Sequence, residues 1–227
     1  MALQFISGNS ISDRTAVMYE TICAQACRHP DKNYIFLVPE QATLQVQREL
    51  SAVHPDHVLG NIDVVSFGRL AHRLLNEQAG KQAVLLDDTG KSMILRRIAG
   101  KEKQSLEVFG RNLNQSGFIQ ELKSVISEFS AYKVTSEVLG VLPTLEKRPA
   151  LQKKLRDIEK VYTSFYKELG EEYLTAEELL GVLSRLVPQS EKIRGSIIIL
   201  DGFTGFTPLQ YQVLEEMLQC AEHVVCA

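Results

Sequence analysis

The chain opens with three short apolar segments, each followed by a polar loop and an amphipathic stretch. Residues 3–7, 34–38 and 62–67 are the three segments, and they predict strands. The second is continuously apolar, as expected of a strand that is buried on both faces of a sheet. Strand–helix alternation at this spacing predicts an α/β fold with a parallel sheet and right-handed crossovers.

A helix is predicted after each of these strands. The first covers 15–28, the second covers 41–50, and the third begins at Phe67 and stops at Gly80. Apolar residues recur at helical spacing in the first and third helices: Tyr19, Ile22, Cys23 and Ala26, then Phe67, Leu70, Ala71, Leu74 and Leu75.

Between residues 85 and 187 the pattern changes to helices with almost no strand signal. Two apolar stripes mark the longest helices: Phe118, Leu122, Val125, Ile126 and Phe129, then Leu151, Leu155, Ile158, Tyr162, Phe165 and Leu169. Thr175 with Glu178 three residues later predicts a capping box that begins another helix. We therefore expect a helical subdomain, 85–187, inserted into an α/β domain formed by 1–84 and 188–227.

The sheet pattern resumes at 196–200, a short apolar strand that ends at Asp201. Thr207 and Gln210 predict a second capping box at the start of a helix over 208–219. Residues 223–226 predict a fifth strand, and the sequence stops there. Because natural chains rarely stop within a core strand, we expect a piece of a longer protein and an incomplete sheet.

Composition narrows the class of protein. The 227 residues are 44% hydrophobic and 23% charged with a net charge of −3, which argues against a freely acting basic nucleic-acid binder but leaves room for local basic patches. The sequence has neither a signal peptide nor an apolar run of membrane-spanning length, so we expect a cytoplasmic protein without membrane contact. The four cysteines lack the Cys-x-x-Cys spacing of zinc sites, and we predict reduced thiols and no metal ligand among them.

The loop after the first strand has the outline of a phosphate-binding loop. Gly8 and Thr15 stand in register with the first glycine and the final Ser/Thr of Gly-x4-Gly-Lys-[Ser/Thr]. Asp13 replaces the second glycine, bringing a carboxylate towards a polyphosphate, and Arg14 replaces the lysine with a bulkier planar cation. The pattern predicts a degenerate nucleotide site, and the alternative is an ordinary polar loop with Ser12 or Asp13 capping the helix.

Two further motifs bear on nucleotide chemistry. Asp201 follows an apolar strand, where an ATPase holds Mg²⁺, yet Gly202 stands where helicase-type motors usually carry a second carboxylate. A strand-end Asp that bonds loop amides is the alternative interpretation. Gly90-Lys91-Ser92 imitates the end of a phosphate-binding loop, but Leu85 occupies the position of the required first glycine.

Basic residues cluster in several places that are candidates for contact with a DNA backbone. Arg69 and Arg73 lie one helical turn apart, and Lys153, Lys154 and Arg156 belong to a run without acidic residues. Aromatic residues do not interleave with these patches, so base stacking is not predicted. The solvated face of a helix is the alternative for each patch.

Five segments together resemble the AddB/RexB family, the B subunits of bacterial ATP-dependent helicase–nucleases. They are YIFLVPEQATLQVQREL (34–50), DVVSFGRLAHRLL (63–75), LLDDTGKSMILRRI (85–98), GFIQELKSVISEF (117–129) and IIILDGFTGFTPLQYQVLEEM (197–217). The resemblance implies a RecA-like, superfamily-1 helicase first domain with a helical insertion. It also implies a nuclease domain and iron–sulfur cysteines further along the longer chain, so none of these four cysteines is assigned to that cluster.

The resemblance further implies a function and a set of contacts. The family's subunit pairs with a motor-and-nuclease partner of the AddA/RexA type, and together they process double-strand DNA breaks for recombinational repair. ATP and Mg²⁺ would be cofactors of the parent complex, and Gln41, Ser66 and Phe67 match positions at which superfamily-1 helicases touch single-stranded DNA. Many members keep the complete Gly-Lys-[Ser/Thr] ending, from which Asp13 and Arg14 depart.

Three hypotheses remain. The preferred one is a non-hydrolysing module that binds DNA and a partner subunit. The second is an ATP-driven motor in which Arg14 and Asp201 still serve a nucleotide. The third is a free-standing kinase-like enzyme with a helical lid.

Overall fold

The computed structural model describes residues 2–8, 14–77, 84–112, 115–170 and 172–227. Within these ranges the chain forms two compact units. The sheet unit consists of Met1–Ala79 with Leu179–Ala227, and the helical unit is Gly80–Glu178.

The elements follow one another along the chain as β1 (Ala2–Phe5), α1 (Arg14–Arg28), β2 (Tyr34–Leu37), α2 (Thr43–Val53), β3 (Ile62–Val65), α3 (Phe67–Glu77), β4 (Val84–Leu85), α4 (Asp88–Glu102), α5 (Ser116–Ala131), α6 (Ser136–Leu145), α7 (Pro149–Leu169), β5 (Tyr173–Leu174), α8 (Ala176–Leu186), β6 (Ile197–Leu200), α9 (Pro208–Cys220) and β7 (His223–Cys226). The predicted stop of α3 at Gly80 lies outside the described residues.

The sheet unit contains a five-stranded sheet in the order β1-β7-β6-β2-β3, and every neighbouring pair is parallel. Tyr34 of β2 lies opposite Ile62 of β3 on one side and Ile197 of β6 on the other. The predicted α/β class with a parallel sheet is confirmed. The last strand, β7, lies inside the sheet between β1 and β6.

Apolar residues cover both faces of this sheet. All four residues of β2 are buried, and they alternate between two clusters: Ile35 and Leu37 join one, Tyr34 and Phe36 the other. The first cluster includes residues of α3, α8 and α9, and the second includes residues of α1 and α2. The continuous apolar pattern of 34–38 therefore marks a strand covered by helices on both sides.

Helix α8 belongs mainly to the sheet unit, although the sequence pattern grouped it with the helical block. Its buried residues Leu179, Leu183 and Leu186 lie in the same core cluster as Leu37 of β2 and Val213 of α9. The compact sheet unit resumes at Leu179, before the domain boundary expected at 187/188.

Helices α4 to α7 build the core of the helical unit, and its fully buried side chains include Leu95, Ile98 and Phe165. Two strands of two residues each, β4 and β5, pair in parallel within this unit. The sequence pattern did not predict them, because two residues are too few to show alternation.

Both predicted capping boxes are present. Thr207 accepts from the amide of Gln210, whose side chain accepts in turn from the amide of Thr207. Thr175 and Glu178 make the same reciprocal pair at the start of α8. These bonds satisfy amides that the first turn of a helix leaves without intrahelical partners.

Three charged residues are buried in the described part of the helical unit, Lys91, Lys123 and Asp157, and Lys91 and Asp157 each join separate segments of it. The ammonium of Lys91, a residue only 4% exposed, donates to the Ser127 hydroxyl at 3.1 Å and to both Glu177 oxygens at 3.0 and 2.9 Å. Lys91 is the lysine of the Gly90-Lys91-Ser92 sequence, so that motif serves an internal ion pair.

Asp157 of α7 is fully buried, and its two carboxylate oxygens accept from three consecutive backbone amides. Glu107 donates to Oδ1 at 2.9 Å, while Val108 and Phe109 donate to Oδ2 at 2.7 and 2.9 Å. A carboxylate thus anchors the segment between α4 and α5 to the side of α7.

None of the helices in the described ranges is both long enough and apolar enough to cross a bilayer.

Replacing Asp157 with alanine should destabilise the helical unit by about 3 kcal/mol or more, because three backbone amides lose their acceptor together. Urea denaturation followed by circular dichroism measures the loss. Glu128→Ala, which changes an exposed residue of α5, is the control and should shift the free energy of unfolding by less than about 0.5 kcal/mol. Equal effects of the two substitutions would contradict the anchoring role of Asp157.

Candidate functional site

The carboxyl edge of the sheet is the candidate site, because parallel strands bring all of their carboxyl ends to one edge. Gly8 follows β1, Glu40 follows β2, Ser66 follows β3 and Asp201 follows β6. In open α/β sheets, ligands bind in crevices outside this edge.

The first loop is described only at its two ends. Gly8 is exposed after β1, while Arg14 and Thr15 are half-buried in the first turn of α1. Asp13, which departs most from a phosphate-binding loop, lies outside the described residues.

Asp201 is held by two groups from other elements. Its backbone N–H donates to the Leu37 carbonyl at the end of β2 at 3.2 Å. Its carboxylate Oδ2 accepts from the Tyr19 hydroxyl at 2.9 Å, and the residue is only 8% exposed. Tyr19 lies on α1 one turn after Thr15, so the helix that follows the first loop reaches Asp201 even though β7 separates β1 from β6.

Tyr19 is itself buried, at 3% exposure, and its ring meets the ring of Phe36 edge-to-face at 5.6 Å. Burial, and after it the charge of Asp201, raise the pKa of the Tyr19 phenol well above its usual value. The phenol therefore stays neutral at physiological pH and donates its proton to Asp201.

The turn after Asp201 packs against the turn after β2. Gly202 adopts a φ of +75°, and a Cβ at this position would lie 3.5 Å from Cδ of Pro39. A side chain is disfavoured here by backbone conformation more than by space.

A magnesium ion at this edge would have to bind the Asp201 carboxylate. Mg²⁺ takes about six oxygen ligands in near-octahedral geometry, often one or two carboxylates with water and substrate phosphates. Within the described ranges, no cluster of three or more His, Cys, Asp or Glu side chains is placed to hold a metal ion. Asp201 is buried and already accepts a hydrogen bond, so the described residues, as arranged, do not fit a magnesium nucleotide.

The ends of β2 and β3 form a polar cluster of Glu40, Ser66 and Arg69. The Glu40 carboxylate accepts from the Ser66 hydroxyl and, at 3.1 Å, from Nε of Arg69. The amide of Arg69 donates back to the Ser66 hydroxyl at 3.2 Å. Two of the residues predicted to contact DNA, Ser66 and Arg69, therefore bind one carboxylate, and Gln41 is exposed next to Glu40 in the chain.

Phe67 differs from this group. It is 5% exposed, belongs to the sheet-unit core, and its ring lies 5.7 Å from the Phe203 ring and 6.4 Å from the Phe206 ring. The expectation that its side chain contacts DNA does not fit this burial, because the apolar spacing that begins α3 already assigns Phe67 to the core.

Lys153 and Lys154 lie in the first half of α7, in the helical unit, and both are exposed. The ammonium of Lys153 is 3.6 Å from the Glu107 carboxylate, as is the guanidinium of Arg156. Exposed pairs at such distances contribute little to stability and leave the cations accessible to a polyanion.

Sequence reasoning misses two residues that matter at this edge. The apolar spacing of α1 places Tyr19 on the core face, which is true of its ring, but the partner of its hydroxyl lies 182 residues away. Glu40 lies within the segment matched to DNA contact, yet nothing in the sequence pairs it with Ser66 and Arg69. A buried tyrosine needs a partner for its hydroxyl, and that is the only signal in the sequence.

Comparison with known proteins adds independent evidence. The family model described as "ADDB, N-terminal" matches residues 5–227. Three relatives, each named as the B subunit of an ATP-dependent helicase/deoxyribonuclease, come from Lachnoclostridium phytofermentans, Geobacillus thermodenitrificans and Bacillus subtilis. They are 37%, 35% and 32% identical over 225, 237 and 231 residues, respectively. The matches cover 99–100% of this chain but 20% of each relative, so the chain spans about one fifth of their length.

Tyr19→Phe should lower the free energy of unfolding by about 1.5–3 kcal/mol, since it removes a hydrogen bond to a buried carboxylate and keeps the ring. Tyr34→Phe is a matched control. The Tyr34 hydroxyl is also buried, but among the described residues it has no hydrogen-bond partner, so its removal should be neutral or slightly stabilising. Chemical denaturation of both variants measures the difference.

The raised pKa of Tyr19 adds a dependence on pH. Stability linked to a group whose pKa is higher in the folded state is present below the unfolded value, about 10 for tyrosine, and is lost as the pH rises further. The wild type should therefore lose stability above pH ~10 more steeply than Tyr19→Phe. Parallel pH profiles would contradict this assignment.

Proposed function

Since the chain belongs to the AddB N-terminal family, we propose that it is the helicase-like first domain of a helicase–nuclease B subunit that processes DNA double-strand breaks for recombinational repair. It binds DNA and a motor-and-nuclease partner of the AddA/RexA type, in the cytoplasm, and does not itself hydrolyse ATP. ATP and Mg²⁺ serve the parent complex.

The sheet unit corresponds in this proposal to a RecA-like domain, and the helical unit to its insertion. Three features support that correspondence: five parallel strands covered by helices on both faces, a polar loop after β1 and an acidic residue after β6.

The environment of Asp201 carries the non-hydrolysing part of the proposal. Its carboxylate accepts from Tyr19 in a buried position, and Gly202 follows it in place of a carboxylate that would position water. Arg14 and Asp13 replace the groups that bind the phosphates in an active loop. A nucleotide would therefore meet neither a complete cation site nor a complete phosphate cradle.

A calorimetric titration with ATP and Mg²⁺ tests this part. We expect no binding at millimolar nucleotide, because the lysine, the second glycine and the second carboxylate are all replaced. Micromolar binding that disappears in Asp201→Ala and persists in Glu20→Ala, an exposed acidic residue of α1, would instead establish the ATP-driven motor.

DNA contact is assigned to the exposed cations of α7 and to the polar cluster at the ends of β2 and β3. Most of the Lys and Arg residues lie between 80 and 178, whereas the sheet unit is net negative. Arg69 is paired with Glu40, so the α7 lysines supply the less compensated positive charge. Electrostatic binding of this kind depends on salt through release of counterions.

The double substitution Lys153→Gln with Lys154→Gln should weaken binding to a single-stranded oligonucleotide. If each lysine meets one phosphate, the slope of log K against log salt should become shallower by about 1.4, at about 0.7 per phosphate. Fluorescence anisotropy across a KCl series measures the slope. Lys167→Gln, an exposed lysine about 20 Å further along α7, should leave the slope unchanged. If the double variant has the same slope of log K against log salt as the wild type, Lys153 and Lys154 of α7 do not contact the DNA backbone.

A further inference from the structure

A hydrogen bond joins Tyr19 of α1 to Asp201 at the end of β6. In an active nucleotide site these two positions would have other roles. Asp201 would face a cation bound to phosphates, and the first turns of α1 would follow the phosphate loop. Here the two are linked directly, hydroxyl to carboxylate, at 2.9 Å in a buried position.

We propose that the Tyr19 hydroxyl occupies the place of a metal ion at Asp201, so that a residue of the chain's own first helix closes this edge of the sheet to divalent cations. This inference rests on the proposed function, which it deepens by naming the group that keeps the cation out.

A buried carboxylate must have a partner, because its desolvation is costly when no charge or donor compensates it. In a metal-dependent site the cation supplies that compensation. Tyr19 supplies it here with one charge-assisted hydrogen bond, and its phenol remains protonated because burial and Asp201 raise its pKa. A cation that displaced the hydroxyl would leave a buried phenol without an acceptor.

The geometry also limits movement of either partner. The Tyr19 ring is packed edge-to-face against Phe36 of β2. The backbone of Asp201 is bonded to Leu37, and the turn at Gly202 lies against Pro39. The phenol and the carboxylate are thus each positioned by contacts with β2 or with the residues that follow it.

Manganese ion without nucleotide is the probe, because its paramagnetism reports binding directly and the experiment does not depend on the phosphate loop. Uptake of Mn²⁺ by the whole polypeptide is measured by electron paramagnetic resonance. Four proteins are compared: wild type, Tyr19→Phe, Tyr19→Phe with Asp201→Asn, and Tyr34→Phe as the buried-hydroxyl control.

We expect Tyr19→Phe to bind one Mn²⁺ at least ten-fold more tightly than wild type, because the substitution removes the side-chain donor that the described residues give to the buried Asp201 carboxylate. The double variant should lose this binding, and Tyr34→Phe should behave as wild type. If Tyr19→Phe binds no more tightly than wild type, for instance because Asp201 takes up a proton instead, the proposal is overturned.

A second measurement uses the unaltered protein and so does not depend on folding of the variant. With ¹³C-labelled tyrosine, the Tyr19 ring signals of the wild type should stay sharp as Mn²⁺ is added. Selective broadening of these signals would place a cation at Asp201 and overturn the inference. If either the Mn²⁺ binding experiment or the tyrosine experiment contradicts this inference, the ATP titration of the wild type still tests the proposed function separately.

Discussion

Parallel pairing of the five strands is the constraint on which the rest of the sheet unit depends. Because β1, β2, β3, β6 and β7 all run in one direction, their carboxyl ends share an edge. Gly8, Ser66 and Asp201 therefore reach the same edge from distant parts of the chain. The same arrangement buries both faces of the sheet, so helices must cover each of them. The helix that brings Tyr19 to Asp201 is one of these.

The two compact units use buried charge for the same purpose. In the sheet unit, the Tyr19 hydroxyl donates a hydrogen bond to the Asp201 carboxylate. In the helical unit, Glu177 forms an ion pair with Lys91, and three backbone amides donate to Asp157. Each arrangement fixes segments that are far apart in sequence, because removal of one partner would leave a polar group buried alone. Internal compensation of this kind stabilises each unit through residues of the chain itself.

Exposed charge is distributed differently between the units. At the sheet edge, Glu40 draws together Ser66 and Arg69, so a phosphate would have to compete with a carboxylate for the same donors. Along α7, Lys153 and Lys154 are exposed, and within the described ranges the ion pair is limited to Lys153, whose ammonium lies 3.6 Å from the Glu107 carboxylate. Because of this contrast, we propose that the helical unit would make the larger electrostatic contribution to DNA binding.

Local features of the sequence were enough to predict the strand–helix alternation, the buried strand at 34–38, both capping boxes and the α/β class. They were enough because apolar periodicity and helix capping depend on residues that are near neighbours in the chain. Tertiary packing alone decided the strand order, the pairing of β4 with β5, the attachment of α8 to the sheet core and the burial of Phe67. It also gave Tyr19 its partner. That choice depends on which strand lies beside which, and the 182 residues between Tyr19 and Asp201 carry no periodic signal that connects them.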